Sequence, residues 1–234
     1  MKLLLITFTI LQSLFATLEQ KTLVSDFMLT TVNSQLSTTP MTYTGNLAMH
    51  GKQFALTMFS MEAAYDGNTL YIYSEDTEEL TLSTPTEEEL TQTNPFLYAQ
   101  ALLPVCQYAE KLVGDKTQIT LTPHDHSVGI QKFVLRIATA TLLPAAIEIH
   151  EDDGKLTTLR LDNARYAEEA PSFAIEKEDV FVIDLRCWVI PLYFSKPLRK
   201  HSDTTQLPSN TFLVCCLWSA ASFLADWLTD KGCI

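Results

Sequence analysis

The chain has 234 residues, of which 47% are hydrophobic, and a formal net charge of −12. This length allows one domain of ordinary size with ample apolar side chain for a core. The acidic balance repels phosphate backbones, so it argues against nucleic acid as a partner, and it helps to keep a protein with an apolar binding surface in solution.

The first sixteen residues have the layout of a secretory signal peptide. The basic Lys2 is followed by an apolar run that ends at Phe15 and Ala16. We predict cleavage near Ala16, and the alternative interpretation is a buried N-terminal helix. The first hundred residues contain no cysteine, so none is present there to carry a lipid anchor. The sequence therefore predicts a soluble periplasmic protein.

The next segment, 18–36, carries apolar residues at spacings of three and four, which predicts a helix lying against a sheet. The Asp66-Gly67 pair predicts a hairpin turn, because glycine tolerates a positive φ. Strands with period-two alternation are predicted at Thr42–Met49, Gln53–Met61, Thr69–Ser74 and Glu79–Ser83.

A helical insertion is predicted to interrupt the strands. Thr84-Pro85 precedes the acidic run Glu87–Glu89, and carboxylates are favourable near the positive end of a helix dipole. Asn94-Pro95 separates this first helix from a second helical stretch, predicted over Phe96–Val113, in which Pro104 introduces a kink.

Strands are then predicted to resume. Asp152-Asp153-Gly154 predicts another hairpin. The predicted strands are Thr117–Thr122, Lys132–Thr139, Ala145–His150, Thr157–Tyr166 and Asp179–Leu185. The fold class is therefore mainly β with some helix (α+β): a strongly curved antiparallel sheet of roughly nine strands forms an incomplete barrel, with an N-terminal helix and a helical lid insertion.

Several of these motifs, taken in order, resemble the periplasmic lipoprotein-carrier family LolA, and its Bacteroides-type members in particular. The resemblance covers about residues 18–186. The motifs that carry it are Tyr65-Asp66-Gly67-Asn68-Thr69-Leu70-Tyr71-Ile72-Tyr73-Ser74, Pro85-Thr86-Glu87-Glu88-Glu89-Leu90, Asn94-Pro95-Phe96, Leu121-Thr122-Pro123 and Ile183-Asp184-Leu185-Arg186.

The resemblance implies an outer-membrane lipoprotein carrier with a helical lid. Such a protein accepts acylated lipoproteins from an inner-membrane lipoprotein-releasing transporter and passes them to an outer-membrane acceptor. It implies a monomer that approaches membranes transiently. Better-known members have an arginine near the turn before the second strand that helps to hold the lid closed, whereas this turn reads His50-Gly51-Lys52-Gln53. Either the lid is controlled differently here or Lys52 is a partial substitute, and an ammonium lacks the planar five-donor fork.

Sheltering acyl chains requires an apolar concavity that adapts to its load, which favours flexible Met and Leu side chains. For each position taken alone, the simpler interpretation is ordinary core packing, and only the set favours a cavity. The predicted cavity residues are Leu47, Met49, Phe54, Leu56, Met58, Leu70, Ile72, Phe96, Leu97, Leu102, Leu103, Phe133 and Leu135.

No catalytic residue, metal site or cofactor is predicted. His124-Asp125-His126 has only part of the three or four ligands that a metal needs, so solvated loop residues are the better interpretation. The chain has no glycine-rich phosphate loop or nucleophile elbow, and Cys106 is interpreted as a small apolar residue. Two alternatives to the carrier remain: an acyl-sensing regulatory module on the same scaffold, and a secreted metal-dependent hydrolase built on His124 and His126.

The composition divides the chain at Arg186, where the resemblance ends. Charges sum to 11 minus 25, or −14, over 17–186 and to 4 minus 3, or +1, over 187–234. All three Trp and four of the five Cys lie in the second part. The predicted organisation is a signal peptide over 1–16, a carrier domain over 17–186 and an atypical, poorly ordered extension over 187–234.

Overall fold

The computed structural model describes residues 2–33, 37–125, 128–169 and 171–186, with the backbone alone at 2–9, 37 and 38. The predictions for the extension 187–234 lie outside these residues. The helices are α1 (Lys2–Gln20), α2 (Glu87–Thr93) and α3 (Pro95–Leu102), followed by a 3₁₀ turn, Leu103–Val105. Within the described part of the chain, no helix has both the length and the apolarity needed to cross a bilayer.

Twelve strands in these residues form one sheet. They are β1 (Thr22–Asn33), β2 (Ser37–His50), β3 (Gln53–Met58), β4 (Met61–Tyr65), β5 (Leu70–Ser74), β6 (Glu79–Ser83), β7 (Cys106–Val113), β8 (Lys116–Pro123), β9 (Ile130–Ala138), β10 (Pro144–Glu151), β11 (Lys155–Ala167) and β12 (Phe181–Asp184).

The spatial order of the strands is β12-β6-β5-β4-β3-β2-β1-β11-β10-β9-β8-β7. All neighbours are antiparallel except β12, which runs parallel to β6. The two outermost strands do not pair with each other, so the sheet is open. The predicted fold class is confirmed: the protein is mainly β, with an unclosed sheet, an N-terminal helix and a helical insertion.

The sheet buries one face around a single large apolar cluster. That cluster joins side chains from β5, such as Leu70, to side chains from β8, such as Ile119, together with members of all three helices. Each strand from β5 to β8 in the spatial order contributes side chains to this cluster, so one face of the sheet is apolar across most of its width. We call this apolar side the inner face. A smaller cluster around Ala64, Leu80 and Ile175 lies apart from it.

Three local predictions are wrong. In the described part of the helix predicted over 18–36, the chain instead forms the end of α1 and then strand β1. The strand predicted over Gln53–Met61 is split by a tight turn at Phe59 and Ser60 into β3 and β4. The second helical stretch ends at Leu102, and its predicted continuation to Val113 is strand β7. Pro104 explains this last boundary, since it offers no backbone N–H to continue the helix.

The two predicted hairpins are confirmed. Asp66-Gly67 connects β4 to β5, which pair antiparallel from Tyr65 and Leu70 outward. Gly67 has φ +103°, a conformation that glycine adopts without steric cost. Asp152-Asp153-Gly154 likewise joins β10 to β11, where His150 pairs with Leu156.

Candidate functional site

The predicted cavity residues of β2 and β3 lie side by side on the inner face. The register places Leu47 opposite Leu56 and Met49 opposite Phe54, and all four are at most 5% exposed. Alternation along each strand explains this placement, because residues two apart share a face. The inner face therefore carries adjoining Met, Leu and Phe side chains across these strands.

The full predicted set is brought together by the fold. Ten of the thirteen residues are buried members of the large inner cluster, and Ile72, Leu97 and Leu103 pack against it. These side chains therefore belong to one packed apolar cluster. Their role in lining a binding cavity stays a prediction.

Helices α2 and α3 cover part of the inner face. Thr86 begins α2 with a capping box, in which its hydroxyl accepts from the Glu89 backbone N–H and the Glu89 carboxylate accepts from the Thr86 backbone N–H. Asn94 caps α3 by accepting from the N–H groups of Phe96 and Leu97. These caps satisfy backbone donors that short helices otherwise leave unpaired.

The contact between the cover and the sheet is apolar. Leu90, Phe96, Ala99 and Leu102 are buried, and the Tyr98 ring meets Phe133 of β9 edge-on with centroids 6.1 Å apart. Sequence reasoning missed Leu90 and Ala99 as members of this contact. The three-residue spacings from Phe96 through Ala99 to Leu102 could have identified one face of α3.

An ion pair ties the start of α2 to the β2–β3 turn. The Lys52 ammonium donates to both carboxylate oxygens of Glu87, at 2.9 and 3.0 Å. This hydrogen bond raises the pKa of Lys52. The pair is solvent-exposed, and such pairs contribute little to stability. Lys52 thus contacts the helix that the family resemblance assigns to the lid.

Helix α1 contributes a buried stripe, most of which lies in the predicted signal peptide. Leu11, Leu14, Phe15 and Leu18 follow the i, i+3, i+4, i+7 spacing of one helix face and are at most 9% exposed. The Gly51 N–H donates to the Leu18 carbonyl oxygen at 2.7 Å, which joins α1 to the β2–β3 turn. Cleavage near Ala16 stays a prediction, and it would remove three of these four side chains from the core.

The Asp66 turn holds the β4–β5 hairpin and meets the end of the described chain. The Asp66 carboxylate accepts from the backbone N–H groups of Asn68 and Thr69, at 2.8 and 2.7 Å, and from the Tyr71 hydroxyl at 2.8 Å. Burial acts to raise the pKa of Asp66, but these hydrogen bonds outweigh it and lower the pKa. Arg186 lies 3.5 Å from the Thr69 hydroxyl, so two of the family-like motifs adjoin in space.

The histidines do not converge on a metal arrangement in the described residues. His126 lies outside them, and His124 is exposed at the end of β8. No group of three His, Cys, Asp or Glu there is placed to hold a metal ion. Cys106 is buried on β7, and burial raises the pKa of its thiol, which disfavours the nucleophilic thiolate.

No protein-family model and no curated protein matches the chain. An uncharacterized conserved protein from Thermus thermophilus superposes with a TM-score of 0.51 at 9% identity, over 74% of this chain and 96% of that one. A LolA superfamily protein from Nitrosomonas europaea has a TM-score of 0.38 at 12% identity, over 72% and 97%. LprF from Mycobacterium bovis has a TM-score of 0.37 at 12% identity, over 71% and 96%. The likeness to the Thermus thermophilus protein is one of fold.

Proposed function

We propose that this protein is a noncatalytic carrier of the bacterial envelope that shelters the acyl chains of lipoproteins between its sheet and its helical cover. The observation that carries the proposal is the continuous apolar cluster on the inner face, to which all thirteen predicted cavity residues belong or against which they pack. A sheet face made of hydrocarbon side chains offers the environment that acyl chains need.

The energetic need for such a carrier is large. Each methylene exposed to water costs about 0.8 kcal/mol, so one sixteen-carbon acyl chain costs roughly 12 kcal/mol. An apolar interior removes this cost without covalent chemistry. Met49 and Met58 favour adjustable packing, because a thioether side chain with three rotatable bonds fills irregular spaces.

Loading requires that the cover move away from the sheet, because the inner side chains pack against one another in the closed structure. Helices α2 and α3 contain only seven and eight residues. Their polar tie to the β2–β3 turn is the exposed Lys52–Glu87 pair. A short cover held by apolar packing opens when a membrane or a partner offers replacement apolar surface.

The proposed setting follows from the family resemblance. The protein acts in the periplasm after signal-peptide cleavage, receives lipoproteins from an inner-membrane releasing transporter and delivers them to an outer-membrane acceptor. It works as a monomer that meets membranes only transiently. Delivery is driven by the higher affinity of each successive partner for the acyl chains.

The test is mass spectrometry of material bound to the protein purified from its native envelope, followed by transfer of that load to acceptor vesicles. We expect acyl-bearing species in near-stoichiometric amount. Leu97→Gln, within the cover, should reduce uptake of a triacylated peptide, whereas Gln100→Ala, exposed on the same helix, should not. A lipid-free protein that also takes up no triacylated peptide contradicts the proposal.

One observation favours a second candidate, an acyl-sensing regulatory module. Among the described residues, strand β7 pairs on one side only and forms a sheet edge, on which Leu112 and Val113 are 66% and 49% exposed. Such an edge can accept an extended segment of another protein. A module of this kind retains its lipid and changes its affinity for a protein partner, whereas a carrier releases the lipid to vesicles.

A further inference from the structure

Two buried threonine hydroxyls lack hydrogen-bond partners. Thr31 on β1 and Thr157 on β11 are 5% and 3% exposed, and neither hydroxyl has a partner among the residues that the structure describes. An unsatisfied buried polar group destabilises the folded state. Other buried threonines avoid this cost: Thr117 pairs with Thr139 at 2.9 Å, and Thr93 donates to the Leu90 carbonyl at 3.0 Å.

The strand register places these two threonines next to each other. Thr31 is the direct cross-strand partner of Thr157 in the antiparallel β1–β11 pair. Directly opposed residues have Cβ atoms about 4.5–5.5 Å apart and point to the same face. That face is the inner one, because Thr31 alternates with Phe27 and Leu29 of the large apolar cluster. Two donors therefore stand close enough to converge on one acceptor.

Their surroundings on the inner face are apolar. Thr31 pairs with Met41 on one side, and Thr157 pairs with Ile149 on the other. Ile149 in turn pairs with Phe133, the residue that Tyr98 of the helical cover contacts. Phe133 lies two strands, or about 10 Å, from Thr157. The two hydroxyls are thus polar groups in a line of cross-strand neighbours that continues through the apolar Ile149 to Phe133, which contacts the helical cover.

We propose that Thr31 and Thr157 form a subsite for the carbonyl oxygen that joins an acyl chain to its ester or amide linkage. A carbonyl oxygen has two lone pairs and can accept from both hydroxyls. An acyl chain brings this acceptor with hydrocarbon attached, which matches a hydroxyl pair whose cross-strand neighbours are Met41 and Ile149. The inference rests on the proposed function, and it names the chemical class of the load as acyl esters or amides rather than hydrocarbon in general.

The experiment compares dipalmitoylglycerol with dihexadecylglycerol, which keeps the chains and glycerol but replaces each ester by an ether without a carbonyl. The wild-type protein should bind the ester lipid more tightly. Thr31→Val combined with Thr157→Val should weaken binding of the ester lipid by roughly tenfold and leave binding of the ether lipid unchanged. Because it removes two unpaired hydroxyls, the same variant should not lower the unfolding temperature of the lipid-free protein.

Two controls isolate the hydroxyls. Thr30 and Thr158 are also cross-strand partners, one register position away on the opposite face. Thr30→Val combined with Thr158→Val should keep the ester preference. Thr31→Ser combined with Thr157→Ser, which retains both hydroxyls, should keep it as well.

Each outcome decides the proposal. Equal binding of the two lipids by the wild-type protein overturns the carbonyl subsite while leaving the carrier function in place. The proposal is also overturned if Thr31→Val combined with Thr157→Val weakens binding of both lipids equally, or weakens binding of neither. Failure of the wild-type protein to bind either lipid removes the proposed function and this inference together.

Discussion

Single side chains in this protein mainly fix the geometry of turns and helix starts around the apolar interior. Asp66 orders the β4–β5 turn through three hydrogen bonds, and Thr86 and Asn94 begin the two cover helices. These polar residues carry much of the family resemblance in the sequence. Their structural role explains why: each satisfies backbone groups that have no other partner at that position.

Replacing Asp66 should destabilise the protein in a pH-dependent way. Asp66→Ala should lower the free energy of unfolding by about 1–2 kcal/mol at pH 7, because a partly exposed carboxylate loses its donors from Asn68, Thr69 and Tyr71. The folded-state pKa of Asp66 lies below its usual value of 3.8. Its contribution is therefore fully present above that value and is lost as the pH falls through the folded pKa.

Urea denaturation of the wild-type and variant proteins at pH 7 and at successively lower pH values measures this difference. The difference in free energy of unfolding between the wild-type and Asp66→Ala proteins should stay constant down to about pH 4 and shrink below it. Asp115→Ala, at an exposed position of the β7–β8 turn, provides the control and should show no such gap. A gap that grows on acidification would contradict the assigned role of Asp66.

At the scale of elements, sequence patterns identified most strands but misplaced the first helix. Leu23, Phe27 and Thr31 recur every four residues, a spacing that fits both one face of a helix and one face of a strand. The β-branched residues of this segment, including Val24 and Val32, favour the strand that forms. The period of four alone could not decide between the two.

For residues 1–16, a buried N-terminal helix is the second interpretation of the sequence, after a signal peptide. The apolar run that ends in Phe15 reads as the core of a signal peptide, yet its last part has helical spacing and packs in the interior. The β3–β4 turn was missed for a different reason. Phe59 adopts φ 52° in this turn, but the sequence there has neither the Gly nor the Asn that usually indicates a tight hairpin turn. The sequence could not predict that the hydroxyls of Thr31 and Thr157 are buried side by side without hydrogen-bond partners in the described structure, because this depends on the strand register.

Helix α1 should contribute directly to the stability of the domain. Leu14 is completely buried, so Leu14→Ala should lower the free energy of unfolding by about 2–5 kcal/mol. Ser13→Ala, at the adjacent exposed position, should have little effect. Thermal unfolding of the chain with residues 1–16 retained measures both. Equal stability of the two variants would mean that the Leu14 side chain does not pack in the core.

The ion pair between Lys52 and Glu87 should affect the cover more than the whole fold. Lys52→Met should change the global free energy of unfolding by less than about 1 kcal/mol, because both side chains are exposed. Amide hydrogen exchange in α2 should nevertheless accelerate, since this helix loses its tie to the β2–β3 turn. Lys116→Met, at an exposed site on β8, is the matched control. Unchanged exchange in α2 would show that apolar packing alone holds the cover.

Across the whole molecule, apolar and charged groups are separated by the sheet. Inner-face residues such as Phe133 and Ile147 are buried, whereas the opposite face of β9 and β10 carries Arg136, Glu148 and His150 in contact with one another. Strand alternation produces both faces from one stretch of sequence. The arrangement gives an apolar interior beneath a charged outer face.

The net charge of −12 should make uptake of acyl chains depend on salt and on the membrane that supplies them. An anionic bilayer repels this protein at low ionic strength, and the Debye length falls from about 30 Å at 0.01 M to about 8 Å at 0.15 M salt. Uptake of a triacylated peptide from vesicles rich in anionic lipid should therefore accelerate as salt is raised over this range. Uptake from zwitterionic vesicles, the matched control, should change little. A decrease with salt from anionic vesicles would instead show that a basic patch guides the protein onto the membrane against its net charge.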